Sequence, residues 1–369
     1  MKILHLIPTL NKGGAERIAL DMCVELARQG HEVKLVALHP ENQYEFLTQS
    51  LDYTVVETRV ELSLWRKNRT DVRALQAVID AFQPDVIHSH LFEAEINSAF
   101  CRLPQHTKRV VHFHDNMVQM KQFSWRIFTS KRLLANFYER SLVLKNLPTK
   151  THAIAISDDT FRYATQVLPR WVQILRQLNA IDLRRFTPLK EQITTQKITM
   201  IGSLVEKKGH DLAIAALAEL KRRSVFVQLQ VLGSGPKLDA LQRLVDELGI
   251  RDYVVFHGNQ DFPEVFLQNS LMYLHTASYE PFGLVLIEAM ACGLPVVCTD
   301  GFGNRELIHE GENGFMIWER DPLLIADKIQ FLLENDAERS RLGENAQRCA
   351  QQFGMEAYVN RLLEIYRDL

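Results

Sequence analysis

The sequence lacks the features that mark disulfide-stabilised and membrane-spanning proteins. Its 369 residues include only five cysteines, an odd number, and no two of them have the C-x-x-C spacing of a metal or redox site. Because these cysteines lie mostly within apolar runs, we interpret them as reduced, buried thiols of a cytoplasmic protein. No apolar run is long enough to span a bilayer, so any membrane contact is expected to be peripheral.

Motifs of dinucleotide-binding and metal-dependent enzymes are also missing. The first predicted helix is not preceded by the G-x-G-x-x-G sequence of a dinucleotide site. No D-x-D sequence follows a predicted strand, and we therefore expect neither a metal nor a cofactor. The net charge of -2 argues against nucleic acid as a partner.

What is present is the composition and the alternating pattern of a large α/β protein. Hydrophobic residues make up 46% of the chain and charged residues 24%, which is typical of globular domains. Short β-rich runs alternate with helical patterns, and this alternation predicts parallel sheets built from βαβ units. The predicted strands lie near 2–8, 31–37, 53–57, 84–89, 108–114, 151–156, 196–202, 225–232, 253–257, 271–275, 294–298 and 314–317.

A polar stretch that ends at Pro188 separates the two sets of predicted strands and is the best linker candidate. We therefore predict two doubly wound domains of similar size, residues 1–178 and 179–354. The last helical segment, 355–369, is expected to pack back on the first domain.

Glycines lie in two predicted turns between a strand and the following helix. A glycine there lets the backbone approach a ligand closely. Gly13 and Gly14 precede the first helix, whose free amides favour an anion such as a phosphate. A tight turn without a ligand explains this pair equally well. Gly233 lies in another strand-to-helix turn, and its signal is weak by itself.

Histidines form two H-x-H pairs, His88 with His90 and His112 with His114, each at the carboxyl end of a predicted strand. Open α/β sheets bind ligands at that edge, and alternation places both members of a pair on one face. No third ligand accompanies either pair in the sequence, so a metal site is the less favoured interpretation. Core packing or helix capping explains any one of these histidines.

The second half of the chain contains a candidate phosphate ligand and two notable glutamates. Lys208 precedes a predicted helix and could reach a phosphate above its first turn, although a solvated basic loop explains it equally well. A helix predicted from about Phe282 to Gly293 is apolar almost all round and should be buried. Glu288 inside it has no basic neighbour one turn away, so it would need donors such as sugar hydroxyls. Glu280 lies just before the helix.

Glu280 and Glu288, eight residues apart around Pro-Phe-Gly-Leu-Val-Leu-Ile, match the E-x7-E motif of retaining glycosyltransferases of family four. The chain resembles this family along nearly its whole length. The resemblance implies the GT-B fold, an α/β architecture of two Rossmann-like doubly wound parallel-sheet domains that face an inter-domain cleft. Further segments that match family motifs are 12–17, 84–90, 156–157, 179–182 and 208–209.

The resemblance also implies a role for individual residues. Gly14 would lie against the donor diphosphate, Lys208 would hold that diphosphate, and His114 would contact the donor sugar near the anomeric centre. Glu280 would bind sugar hydroxyls and Glu288 the nucleotide ribose. Ser203 stands where the family usually has arginine, which leaves Lys208 as the main cation. The predicted catalytic residues are His114, Glu280 and Lys208, and the predicted donor-binding residues are Gly13, Gly14, Arg17, Ser203, Gly233, Phe282, Gly283, Leu284, Val285 and Glu288.

These features predict a metal-independent, retaining transfer of a hexose or N-acetylhexosamine from a nucleotide diphosphate sugar, with a UDP-sugar favoured. The acceptor would be a hydroxyl of a glycan or a lipid-linked compound in bacterial cell-surface polysaccharide or glycoconjugate synthesis. A nucleotide-sugar epimerase and a non-catalytic sugar-nucleotide sensor are the alternatives.

Charge is unevenly distributed along the first half of the chain. Residues 102–150 contain ten basic residues and two acidic ones, with aromatic residues between them. Lys131, Arg132 and Arg140 are the predicted contacts with an acceptor or with an anionic membrane surface. An ordinary Rossmann-domain helix with solvated basic residues is the alternative. The first interpretation predicts a peripheral location at the cytoplasmic face of the inner membrane.

Overall fold

The computed structural model describes residues 1–63, 68–116, 151–189 and 196–368 and, between 130 and 141, residues 130, 131, 133–135, 137, 138 and 141. The chain divides into two compact units, Met1–Asn179 with Met355–Leu369 and Ala180–Gly354. No helix within the described part of the chain is both long and apolar enough to cross a membrane.

The N-terminal unit is built on a seven-stranded parallel sheet with the order β3-β2-β1-β6-β7-β8-β9. Its central strands are almost completely buried because both faces of a parallel sheet are covered, whereas β3 and β9 at its two edges have no buried side chain. The strands are β1 Lys2–Ile7, β2 Glu32–Ala37, β3 Asp52–Val55, β6 Val86–His90, β7 Lys108–Phe113, β8 Thr151–Ala155 and β9 Gln173–Arg176, with a separate antiparallel pair of β4 Arg59–Glu61 and β5 Arg69–Asp71.

The helices of this unit follow the strands in the βαβ manner. They are α1 Gly14–Arg28, α2 Glu45–Thr48, α3 Arg73–Phe82, α4 Leu91–Ala99, α5 Asp158–Val167 and, after the second unit, α12 Met355–Asp368. A capping box explains where α5 begins, since the Ser157 hydroxyl accepts from the Thr160 amide at 3.1 Å and the Ser157 amide donates to the Thr160 hydroxyl at 2.9 Å.

The last helix, α12, belongs to the N-terminal unit through hydrogen bonds with distant parts of the chain. Gln177 Nε2 donates to the carbonyl of Tyr358 at 2.8 Å, and Lys108 Nζ donates to that of Tyr366 at 3.0 Å. The Tyr366 side chain is completely buried. The end of the chain is therefore part of the core beneath the first sheet.

The C-terminal unit has a six-stranded parallel sheet with the order β12-β11-β10-β13-β14-β15. All six strands are parallel, but the direction in which successive strands are added to the sheet reverses beside β10. Such a switch point creates a crevice at the carboxyl edge of a doubly wound sheet. The strands are β10 Lys197–Ile201, β11 Gln228–Leu232, β12 Val254–Gly258, β13 Met272–His275, β14 Val296–Thr299 and β15 Gly314–Ile317. The helices are α6 His210–Arg222, α7 Leu238–Glu247, α8 Glu264–Gln268, α9 Leu284–Ala291, α10 Pro322–Glu334 and α11 Asp336–Ala350.

All twelve predicted strands are present, and the α/β class with parallel sheets is confirmed. The strands that the sequence did not reveal are β4, β5 and β9. They have three or four residues each and lack buried side chains, so no apolar run marks them.

Gly233 has a structural role in the carboxyl edge of the second sheet. Its φ of 138° is unfavourable for other residues, and a Cβ at this position would lie 2.0 Å from the carbonyl oxygen of Gly202. The loops that follow β10 and β11 can approach each other only because this side chain is absent. The glycine is thus required by packing, whether or not a ligand also contacts it.

Replacing Gly233 with alanine should therefore lower the free energy of unfolding by about 3 kcal/mol, because strain and a backbone clash act together. The matched control is Gly311→Ala in the same unit, where φ is 71° and no atom lies within 4 Å of the added Cβ. That change should cost about 1 kcal/mol. Urea denaturation measures both values, and equal losses would contradict the packing role of Gly233.

Candidate active site

Lys208 and Glu280, predicted to bind different parts of a ligand, contact each other at the carboxyl edge of the second sheet. Lys208 ends a short turn, Glu206–Lys208, between β10 and α6, and Glu280 lies between β13 and α9. Lys208 Nζ donates to Glu280 Oε2 at 2.5 Å, and the two side chains are only 18% and 10% exposed. A largely buried ion pair therefore lies at the centre of the candidate site.

His275, the last residue of β13, completes this cluster. Its Nε2 lies 3.2 Å from the same Glu280 oxygen, and its side chain is buried. Burial alone would raise the pKa of Glu280, but the positive charge of Lys208 and the contact with His275 outweigh it and lower that pKa to about 2. Glu280 is therefore a carboxylate at neutral pH and can accept hydrogen bonds.

The backbone around Glu280 is fixed by the loop that follows β14. The Glu280 amide donates to the carbonyl of Gly301 at 2.8 Å, and the Glu280 carbonyl accepts from the amide of Gly303 at 3.0 Å. Both hydrogen bonds connect the segment before α9 to a neighbouring strand end. They hold the Glu280 side chain in place against Lys208.

The helix that contains Glu288 is mostly buried, as predicted, but Glu288 itself is partly exposed. The observed helix, α9, has a partly exposed stripe formed by Leu284, Val285 and Glu288, while Leu286 and Ile287 are buried. Leu284 and Val285 lie four and three positions before Glu288 and share its side, because a helix repeats every 3.6 residues. Because Glu288 is partly exposed, burial does not require it to bind ligand hydroxyls. Its side chain is instead accessible to a ligand from solvent.

The residues that begin α9 divide between core and site. The Phe282 side chain is 1% exposed and packs edge-on against Phe353, with ring centroids 6.0 Å apart, so only its backbone is available to a ligand. Gly283 is the N-cap, with φ of 102°, a conformation that favours glycine. Ser203, at the end of β10, is exposed.

Sequence reasoning missed two histidines near Lys208. His275 contacts Glu280 directly, and His210 is buried in the first turn of α6, two residues after Lys208. Burial, followed by the charges of His275 and Lys208, lowers the pKa of His210 to about 4. The signal for His275 was its position at the carboxyl end of a predicted strand, the same signal that identified the H-x-H pairs.

In the N-terminal unit, Gly13 and Gly14 are at the predicted turn. Gly13 is the N-cap of α1, and Gly14 is its first residue. Arg17, predicted to assist donor binding, donates from Nε to Asp21 Oδ2 at 2.8 Å one turn further along the same helix. Its guanidinium is therefore already held by a carboxylate, and binding a diphosphate would require this side chain to share or change its partner.

The two H-x-H pairs and His5 form one cluster on a single face of the first sheet. The cluster comprises His5 on β1, His88 and His90 on β6, His112 on β7, and His114 just after β7. Four of these side chains are completely buried, and His114 is 8% exposed. Each H-x-H pair lies beside a third histidine on a neighbouring strand, which the sequence alone did not reveal.

Two hydrogen-bonded chains run through this cluster. In the first, His5 Nδ1 lies 2.9 Å from His90 Nε2, and His90 Nδ1 lies 2.9 Å from His114 Nε2. In the second, the Tyr366 hydroxyl lies 2.5 Å from His88 Nδ1, and His88 Nε2 lies 3.0 Å from His112 Nδ1.

Burial makes these imidazoles neutral at physiological pH. It lowers the pKa of both His5 and His114 to about 3. The pKa values of His88, His90 and His112 lie well below the ordinary value, first because of burial and then because of neighbouring histidines. A charged imidazole in this core would lack both water and a carboxylate.

Two of the three residues predicted to contact an acceptor or a membrane lie outside the described residues. Arg132 and Arg140 lie outside them, whereas Lys131 lies within them and is exposed. The predicted membrane contact therefore stays a prediction from the sequence.

The sequence matches two family descriptions in adjacent regions. Residues 12–185 match Glycosyltransferase Family 4, and residues 185–349 match Glycosyl transferases group 1. The first region lies almost entirely in the N-terminal unit and the second in the C-terminal unit. Both descriptions are of glycosyltransferases.

Solved structures show the same fold over the full length of the chain. Anabaena HepE in complex with UDP and glucose has a TM-score of 0.82, with 21% identity and complete coverage of both chains. Sucrose-phosphate synthase from Thermosynechococcus elongatus has a TM-score of 0.78, with 21% identity and coverage of 100% of this chain and 99% of that one. The chain thus consists of a region that matches Glycosyltransferase Family 4 followed by one that matches Glycosyl transferases group 1, and it has the GT-B fold.

Curated relatives are similar over part of their length. The lipopolysaccharide core biosynthesis glycosyltransferase LpsE of Rhizobium meliloti is 33% identical over 46% of this chain and 48% of its own length. The N-acetyl-alpha-D-glucosaminyl L-malate synthase of Bacillus anthracis is 36% identical over 39% of this chain and 38% of its own length. The chain thus spans about half or less of these relatives.

The depressed pKa of Glu280 predicts how stability depends on pH. Its ionised form is stabilised by folding, so this stabilisation is complete above the unfolded pKa of 4.5 and is lost as pH falls toward the folded pKa of about 2. Glu280→Gln removes the ionisable group. The stability advantage of the native protein over this variant should therefore narrow by about 1 kcal/mol between pH 6 and pH 4.

Urea denaturation at the two pH values measures this narrowing. The controls are the Lys208→Met variant and the double variant Lys208→Met/Glu280→Gln, because the ion pair is absent from both proteins. Their stability difference should change much less with pH. If the free energies of unfolding of the native protein and of Glu280→Gln differ by the same amount at pH 6 and pH 4, Glu280 is not an ionised, paired group.

Proposed function

We propose that this protein is a retaining glycosyltransferase that transfers a hexose or N-acetylhexosamine from a UDP-sugar to a hydroxyl of a glycan or lipid-linked acceptor. The observation that carries the proposal is the buried Lys208–Glu280–His275 cluster at the carboxyl edge of a Rossmann-like sheet. Membership of the glycosyltransferase family supports the reaction class. The complex of Anabaena HepE with UDP and glucose supports the choice of a UDP-hexose.

The ion pair gives Lys208 and Glu280 complementary tasks. Lys208 stabilises the negative charge that develops on the departing diphosphate, and the amides that begin α9 contribute further donors. A carboxylate has more acceptor sites than one ammonium group occupies, so Glu280 can hold Lys208 and still accept from sugar hydroxyls. This arrangement fixes the donor sugar relative to its leaving group.

His114 acts as a neutral imidazole in this proposal. Burial lowers its pKa to about 3, so it is uncharged at pH 7 and contributes a hydrogen bond near the anomeric centre rather than a positive charge. Retention then follows from front-face attack in which the donor phosphate takes the acceptor proton. A metal ion is not required because Lys208 and backbone amides supply the stabilisation.

The acceptor and the membrane contact are the finer parts of the proposal. A lipid-linked or glycan acceptor would be recognised by the basic segment with Lys131, Arg132 and Arg140. Anionic vesicles are the probe for this contact.

A direct test starts with calorimetric titration of UDP, GDP and ADP, followed by UDP-glucose and UDP-N-acetylglucosamine. Release of UDP from either sugar nucleotide, and an α-linked product when an acceptor is supplied, would support the proposal. Formation of the epimeric sugar nucleotide without acceptor would replace it with an epimerase. Tight donor binding with neither hydrolysis nor transfer would replace it with a sensor.

Glu288→Gln should weaken UDP binding by about 1 to 3 kcal/mol, because a charge-assisted hydrogen bond to the ribose is lost. Glu280→Gln should instead lower turnover more than UDP affinity, because its contacts are to the sugar. Glu247→Gln, an exposed carboxylate on α7, is the matched control and should leave UDP affinity unchanged. Unchanged UDP affinity in a folded Glu288→Gln protein would remove the ribose contact.

His114→Ala should reduce turnover on the order of a hundredfold, as the loss of a positioned polar group in the transition state does. Initial rates of UDP release at saturating donor measure the effect. His152→Ala, on the neighbouring strand β8, is the control and should retain turnover. If folded His114→Ala keeps native turnover, His114 belongs only to the core.

A further inference from the structure

The chain of imidazoles that runs from His5 through His90 to His114 is asymmetric at its two ends. His5 is completely buried, and its Nε2 has no hydrogen-bond partner among the described residues. His114 is the only member with exposed surface, and its Nε2 is occupied by His90. Among the ring nitrogens of these three imidazoles, His114 Nδ1 is thus the one that a ligand can reach.

A neutral imidazole carries one proton, so the three rings can be arranged in only two continuous polarities. In one, each Nδ1–H donates toward His114, and His5 Nε2 is a bare lone pair. In the other, each Nε2–H donates toward His5, and His5 Nε2 becomes a buried N–H without an acceptor. Buried N–H groups are rarely left unpaired, and losing such a bond is costly, so the first polarity is favoured.

We propose that His5 and His90 are positioning residues that hold His114 in the tautomer with its proton on Nδ1. His114 then presents a hydrogen-bond donor to bound substrate and has no nitrogen free to accept a proton. This inference deepens the proposed function, because the substrate that receives the bond is the sugar nucleotide of that proposal. The tautomer itself can be measured without any substrate.

Ring geometry favours this hydrogen-bonded network over a metal site. Two sets, His5 with His88 and His90, and His90 with His112 and His114, bring one nitrogen each within 4.8 Å of one another. However, His112 stacks on His114 with centroids 4.2 Å apart and an interplanar angle of 4°, and His88 stacks on His90 at 4.5 Å and 21°.

A metal–nitrogen bond of about 2 Å lies near the ring plane of each ligand. Stacked rings direct their in-plane lone pairs along nearly parallel lines, so they do not converge on one ion. The same stacked arrangement leaves each ring edge free to form the hydrogen bonds between strands that the structure contains.

Nitrogen NMR of protein labelled with ¹⁵N-histidine tests the tautomer, because protonated and unprotonated ring nitrogens have different shifts. Comparison with His114→Gln identifies the His114 signals. We expect a protonated Nδ1 and an unprotonated Nε2 for His114 in the native protein. A protonated Nε2, or a metal bound in stoichiometric amount by elemental analysis, would overturn the proposal.

Two substitutions of His90 separate its hydrogen bond from its packing. His90→Asn places an amide near the former Nδ1 and should preserve the His114 tautomer, whereas His90→Leu should lose it. The matched control is His88→Leu, because His88 lies on the same strand, is equally buried and is bonded to Tyr366 and His112 instead. Thermal melts show which variants fold.

UDP release from a UDP-sugar connects the tautomer to turnover. In His90→Leu we expect kcat to fall at least tenfold with KM for the donor within about twofold, while His90→Asn and His88→Leu stay near native values. Equal losses in His90→Leu and His88→Leu would show that packing alone matters and would overturn the positioning role.

The two proposals fail in different ways. If no nucleotide sugar binds to the native protein, the proposed function is wrong, and the NMR result still decides the tautomer. If the donor is turned over but native His114 carries its proton on Nε2, only the positioning proposal is wrong. If His90→Leu does not fold, the spectra of the native protein and of His90→Asn decide the question.

Discussion

Burial of both faces of a parallel sheet is the constraint on which each unit depends. Helices cover the strands on both sides, so a polar side chain inside a strand must find a partner within the protein or lie at the carboxyl end. The histidine cluster follows the first course, because five imidazoles on or just after three neighbouring strands form hydrogen bonds with one another and with Tyr366. Lys208 and Glu280 follow the second, at the edge of the other sheet.

The Lys208–Glu280 ion pair orders the cation of the candidate site. With Ser203 in place of an arginine, Lys208 carries the charge, and Glu280 neutralises part of it before a ligand arrives. The diphosphate of the proposed function would compete for Lys208 with a carboxylate whose backbone is itself fixed by the loop at Gly301 and Gly303. Lys208 is thereby held at a defined position, and less ordering is needed when the donor binds.

Periodicity predicted the fold well and the environment of single side chains less well. Continuous apolar strands and glycine turns predicted the parallel α/β class, and all twelve strands occur. Glu288 shows the limit, because a helix that is apolar almost all round still leaves a stripe of Leu284, Val285 and Glu288 partly exposed. Whether a helix face is covered depends on packing between distant segments, which hydrophobicity along one segment does not describe.

The sequence by itself determined the fold class, the family, and the positions of Lys208, Glu280 and the histidines at strand ends. Each of these follows from local pattern or from the order of residues along the chain. Only the tertiary structure decided that Lys208 contacts Glu280, that His275 joins them, and that the two H-x-H pairs contact each other and His5. The physical reason is that these partners lie on separate strands, and the order of strands in a sheet, which brings them together, results from packing of the whole domain.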